Sequence, residues 1–108
     1  MTVWTVPGIV IRVVDGDTIR LHLDLGWSVY TEQNCRLIGV NAPEMSTEAG
    51  SAARAWATMI LPVGLPVTFV SRRLDKYGRP LGQILYGTTN ADFGSDLLAA
   101  GHAVILKY

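Results

Sequence analysis

Ile19, Leu21 and Leu23 alternate with Arg20, His22 and Asp24, a period of two that predicts a strand with one face in a core and the other in water. Residues 3–14 before it are rich in β-branched side chains and are interrupted only by Pro7-Gly8, which predicts an edge strand or a bulge there. Asp15-Gly16 reads as the tight turn between the two, because that dipeptide tolerates positive φ. A second turn at Leu25-Gly26 leads into a long third strand over residues 27–40. Along that strand Arg36 stands between Cys35 and Leu37, so its guanidinium leaves by the face opposite its two apolar neighbours.

From residue 46 to residue 61 the period changes to about 3.6, with Ala49, Ala52, Ala53, Trp56, Met59 and Ile60 on one stripe. This predicts an amphipathic helix capped by Ser46 or Thr47 and ended by Pro62 and Gly64. Strands follow over 67–73 and 81–86, joined by a polar, glycine-containing loop at residues 74–80. A short helix over 96–100 with Ser95 as its cap, and a last short strand over 104–106 that closes the sheet, complete the reading. Three meandering strands, a helix and two more strands fit a small barrel, closed or partly closed, with the helix over one end. The fold class is mainly β, and an OB-type barrel is the leading architecture.

Composition narrows what such a barrel can bind. The chain has 108 residues, 49% of them apolar, and a formal net charge of zero, so it forms one domain and has no global field to gather anions. An anionic ligand must be held by local charge. The single cysteine, Cys35, excludes an internal disulfide and reads as a small buried apolar residue, and His22 and His102 do not complete zinc-ligand spacing. Nothing resembles a signal peptide, and no apolar run approaches the roughly 18 residues of a membrane span. The expected setting is cytoplasmic, with no membrane partner.

The candidate chemistry gathers around residues 35–44. Past Arg36 the chain must turn, because Pro43 pushes the residue before it out of the helical region. That turn can aim Asn41, Glu44 and the carbonyl of Ala42 at one point. Asp15 and Asp17 flank Gly16, and Arg72, Arg73, Lys76 and Arg79 stand together with only Asp75 against them. Each piece alone suits an ordinary turn, salt bridge or solvated hairpin. Together they supply oxygen ligands for a hard cation, two arginines for a phosphodiester and a further carboxylate to handle water.

Three motifs carry a family resemblance: Asp15-Gly16-Asp17-Thr18, then Arg36-Leu37-Ile38-Gly39-Val40-Asn41-Ala42-Pro43-Glu44, then Asp75-Lys76-Tyr77-Gly78-Arg79. In this order and spacing they resemble the staphylococcal nuclease (thermonuclease) family over nearly the whole chain. The resemblance implies a five-stranded OB-fold Greek-key barrel with a covering helix and a short second helix. It also implies Ca²⁺-dependent hydrolysis of single-stranded or denatured DNA and RNA at the 5′ oxygen, leaving 3′-phosphate ends. By position, Asp17 and Asn41 take the places of the calcium-ligating side chains, and Ala42 would add its carbonyl. Arg36 and Arg79 would clamp the reacting phosphate, and Glu44 would orient or deprotonate water. Lys76 and Tyr77 resemble residues that contact a terminal phosphate.

Two departures stand out. The family has aspartate where this chain has Asn41, which keeps an oxygen and removes a charge. The chain also ends at Tyr108, where the secreted family enzyme continues into a tyrosine-bearing segment and a long helix, so Lys107 and Tyr108 are the candidates for stacking at that rim and a dimer is among the open oligomeric states. The alternative function is a catalytically silent barrel that binds nucleic acid or a peptide. Retention of Arg36, Glu44 and Arg79 together favours the enzyme.

Overall fold

The computed structural model of the protein describes residues 4–107. The expected strand start at Val3 and the stacking candidate Tyr108 lie outside them. Strand β1 (Trp4–Asp15) pairs with β2 (Thr18–Asp24), and β2 with β3 (Tyr30–Leu37), all antiparallel. Strand β5 (Pro66–Leu74) returns along the other side of β1 and pairs with β6 (Pro80–Tyr86). A short parallel pairing of Arg36 with Leu81 and Leu37 with Gly82 joins β3 to β6 and closes a five-stranded barrel of OB type. The core inside is built from alternate residues of these strands, among them Val10, Ile19, Leu21, Leu37, Phe69 and Ile84. Among the described residues no helix is long and apolar enough to cross a membrane.

Helix α1 (Glu48–Ile60) covers one end of the barrel, with Thr47 as its N-cap accepting from the Gly50 N–H. Its buried face is Gly50, Ala53 and Ala57, with Trp56 and Ile60 partly buried beside them, whereas Ala49, Ala52 and Met59 are exposed. The expected stripe was therefore rotated, because alanine's short side chain marks either face equally well. Trp56 stacks on Phe93 at 5.8 Å between ring centres. That contact ties α1 to helix α2 (Phe93–Ala99), which begins three residues before the expected start because Asp92, and not Ser95, caps it.

The other departures concern turns and strand pairing. Trp27 and Ser28 adopt positive φ of 56° and 61°, so β3 begins only at Tyr30. The same strand stops at Leu37, Gly39 at φ 81° turns the chain, and β4 (Val40–Asn41) starts anew. After the short β7 (Ala91–Asp92), the last strand, β8 (Val104–Ile105), does not close the barrel. It pairs with β4 as a separate two-stranded ladder. Pro7 lies where β1 is paired with β5 and just before its pairing with β2 begins at Gly8, and the register irregularities fall further on, after Val10 and Val13.

Candidate functional site

The β1–β2 turn delivers the first carboxylate. Asp15 Oδ1 accepts the N–H of Asp17 at 3.1 Å, which folds the chain back over Gly16. Gly16 is not among the glycines at positive φ. What it supplies is room, since a Cβ there would come 2.9 Å from that of Ala42 and 3.1 Å from that of Ala53. The turn thus lies pressed between α1 and the Ala42 segment, and Asp17 is only 7% exposed. Its Oδ2 accepts the Ala42 N–H at 2.8 Å and lies 3.4 Å from Arg36 Nη2, while Oδ1 accepts the Thr18 hydroxyl at 3.3 Å. Burial lifts the Asp17 carboxyl to about 6, with the neighbouring Asp15 carboxyl pushing the same way and the Ala42 N–H and Arg36 opposing.

Arg36 is fixed from the backbone. Strand pairing sets it opposite Thr18 on one side and Leu81 on the other. Its Nη1 donates to the carbonyls of Leu37 and Val40, each at 2.9 Å, which staples the β3–β4 turn. Its Nη2 reaches Asn41 Oδ1 at 3.2 Å as well as Asp17. The Asn41 side chain and the Glu44 side chain are exposed. Glu44 is held through its backbone: its carbonyl accepts the Thr47 N–H at 3.0 Å and the Thr47 hydroxyl at 2.6 Å. Gly50 packs so closely on that carbonyl that a Cβ would lie 1.8 Å from the oxygen.

The β5–β6 connection delivers the second arginine. Asp75 Oδ1 accepts the N–H groups of Tyr77 and Arg79, both at 2.9 Å, and Oδ2 takes Arg79 Nε at 2.7 Å. Burial would raise the Asp75 carboxyl, but these N–H donors and the guanidinium charge outweigh it and hold its pKa below the usual range. Arg79 Cζ and Lys76 Nζ lie 5.4 and 5.2 Å from the centre of the Tyr77 ring, so the phenol is flanked by two cations. Arg36, Arg73, Asp75, Lys76, Tyr77 and Arg79 line one open cleft of about 410 Å³. Arg72, grouped with them by sequence, instead donates to Gln83 Oε1 at 2.7 Å. Asp75 is the residue that sequence reasoning undervalued. Its signal was available: one acid placed two and four residues before Tyr77 and Arg79 in a basic loop, the spacing of a side chain that organises its own turn.

The eight residues singled out by sequence therefore fall into three groups. Arg36, Arg79, Lys76 and Tyr77 share the cleft. Asp17 and Asn41 meet at Arg36 Nη2, and Ala42 touches Asp17 through its N–H. Glu44 does not line the cleft. Among the described residues no group of three or more His, Cys, Asp or Glu side chains is placed to hold a metal ion. The donor chemistry nonetheless fits a hard cation. Asp17 Oδ2 and Asn41 Oδ1 are oxygen donors brought together on a single cationic nitrogen, Arg36 Nη2, and the Ala42 carbonyl, next in the chain, is a third candidate oxygen.

A family model described as "Staphylococcal nuclease homologue" matches residues 34–108. Two curated relatives, both named "Uncharacterized endonuclease", come from Escherichia coli O157:H7 and Escherichia coli. Each is 34% identical to this chain over 105 residues, which is 94% of this chain and 62% of the relative. The chain thus spans under two thirds of the length of the relatives it matches.

Proposed function

The chain belongs to the staphylococcal nuclease family, and from that premise we propose that it is a calcium-dependent nuclease. It cuts single-stranded or denatured DNA and RNA at the 5′ oxygen and leaves 3′-phosphate ends. The observation that carries this reading is that Arg36 and Arg79, from opposite ends of the sequence motifs, line the same open cleft. Arg79 spends Nε on Asp75, which leaves its terminal nitrogens for a ligand. Arg79 can then meet the equatorial oxygens of a phosphodiester, where charge develops as water adds, and Arg36, whose Nη1 and Nη2 are engaged within the protein, would offer the same group its Nε–H edge and its charge. Lys76 and Tyr77 in the same cleft receive the adjoining phosphate. Contacts of this kind read no bases, so cleavage has little sequence preference.

Asp17, Asn41 and the Ala42 carbonyl would hold calcium, which when bound supplies positive charge beside the reacting phosphate. Glu44 does not line the cleft, but it is anchored by its carbonyl just past Ala42 and its side chain is exposed; from there it would reach in and take a proton from the attacking water. The oxygen of that water joins phosphorus as the bond to the 5′ oxygen breaks, the 5′ oxygen leaves as a hydroxyl by taking a proton from solvent water, and Glu44 returns its proton to solvent. The silent binding module is the second reading, favoured by one observation: Asn41 is neutral and its Oδ1 is already engaged by Arg36.

Digestion of denatured DNA and of RNA, with Ca²⁺ and with chelator, tests both. The expected result is calcium-dependent cleavage with 3′-phosphate ends. Products bearing only 5′-phosphate would overturn the chemistry, and strands bound but uncut in Ca²⁺ would establish the binding module.

A further inference from the structure

A second groove, of about 270 Å³, lies beside the cleft and is lined by Asn41, Ala42, Pro43, Gly101, Ala103 and Val104. Residues of the β4–β8 ladder line the groove, and Leu106, the next residue after it, lines the cleft. Val104 pairs with Asn41 and faces the groove, whereas Leu106, held by its N–H on the Gly39 carbonyl at 2.9 Å, faces the cleft. Residues two apart on an extended segment lie roughly 7 Å apart on one face, close to the advance of one nucleotide along a stretched single strand. The seam between the two recesses is the pair Arg36 and Asn41. Arg36 lines the cleft, Asn41 lines the groove, and they are joined at 3.2 Å.

A phosphodiester seated on Arg36 carries a nucleotide on each side. The cleft with Lys76 and Tyr77 takes one of them. We propose that the groove takes the other, so that a single-stranded polynucleotide crosses the β4–β8 ladder while it is cut. The inference rests on the nuclease reading above. The lining suits a nucleotide: small apolar walls let a sugar and a base face lie down, no carboxylate repels a phosphate, and Asn41 is the one polar side chain. Val104 is 65% exposed, so it can be changed without opening the core.

Steady-state cleavage in Ca²⁺ tests the groove with two substrates, an eight-residue oligothymidylate and bis(4-nitrophenyl) phosphate, which has no nucleotide on either side. Val104→Asp is expected to raise KM for the oligonucleotide by about fivefold or more, the scale of one weakened phosphate contact, with kcat little changed. The small diester should respond less than twofold. Val104→Lys should lower the oligonucleotide KM and steepen its dependence on log salt by about 0.7, the increment for one added phosphate contact on a single strand. An unchanged oligonucleotide KM in both variants would overturn the subsite, as would equal KM shifts when Asp or Lys is placed instead at the exposed Val63, between α1 and β5, which would report only a general field. Failure of the unsubstituted protein to cut either substrate would instead remove the nuclease reading, and the subsite with it.

Discussion

Two aspartate–arginine pairs supply the arginines of the cleft, and they are built on opposite physics. Asp17 and Arg36 form the inner pair, their side chains 10% and 12% exposed and 3.4 Å apart. Asp75 and Arg79 form the rim pair, 12% and 36% exposed and 2.7 Å apart. The inner carboxyl is lifted to about 6 because burial outweighs its partners, whereas the rim carboxyl is lowered because backbone and guanidinium donors outweigh burial. The arginines differ in the same way. Arg36 is held mainly by main-chain carbonyls of its own turn, and Arg79 by one carboxylate. The inner pair is therefore part of the fold with charge to spare, and the rim pair is a positioning device added to a loop.

The largest effect expected from this contrast is on activity and stability together. On the proposed mechanism, Arg36→Ala and Arg79→Ala each lower kcat by about 10² or more. Only the inner change should also unfold the protein more easily, by about 2 kcal/mol, because it strips donors from two carbonyls and leaves Asp17 buried without its cation. Arg79→Ala should melt close to the unsubstituted protein, since Asp75 keeps two backbone N–H donors and an ion pair at the rim contributes little. Urea denaturation beside single-turnover cleavage separates the two, and equal destabilisation by both variants would erase the distinction.

How much of this was legible in the sequence follows from the same contrast. The strand alternation around Ile19 and the position of Arg36 on its strand rest on local periodicity and the structure has them as read; local capping offered Ser46 or Thr47, and the structure uses Thr47. The break of β3 at Gly39, the separate β4–β8 ladder and the Asp92 cap rest on contacts distant in sequence or on glycine conformation. Periodicity does not report those. The inner pair was hidden for a further reason. Asp15 and Asp17 look alike in the chain, and only the approach of Ala42 and Ala53 to Gly16 decides that Asp17 is the one turned inward.

The next effect is on pH dependence, where the two carboxylates should differ in sign. Asp17 has its folded pKa raised from 3.8 to about 6, so its contribution is full below about pH 4 and is lost as pH rises through about 6. Asp17→Asn removes that loss and should stabilise the metal-free protein above pH 6, on the order of 1–2 kcal/mol. Asp75 has its folded pKa below 3.8, so its contribution is present above that value and is lost as pH falls. Asp75→Asn should destabilise the protein at neutral pH, with the difference shrinking on acidification. Denaturation in chelator from pH 3 to pH 8 reads both, and parallel curves for the two variants would show that the two sites do not differ as argued.

The smallest effect tests the edge of the inner pair. Asn41 is exposed, and its Oδ1 lies 3.2 Å from the same Arg36 nitrogen that approaches Asp17. In Asn41→Asp the new carboxylate gains the Arg36 charge and meets the Asp17 charge across it. These terms oppose one another at an exposed position, so metal-free stability should change by less than about 0.5 kcal/mol. A bound divalent cation does not see that cancellation, because both carboxylates attract it. On the proposed ligand set, calcium binding should tighten by up to about tenfold once screening and desolvation reduce the added attraction. The stabilisation by calcium in thermal melts should grow in step. Calorimetric titration and melts with and without chelator measure the two halves separately. Unchanged calcium affinity would take Asn41 out of the ligand set and leave it as a partner of Arg36, while a large loss of stability in chelator would show that Asp17 and the new carboxylate lie closer, and drier, than the exposed Asn41 side chain implies.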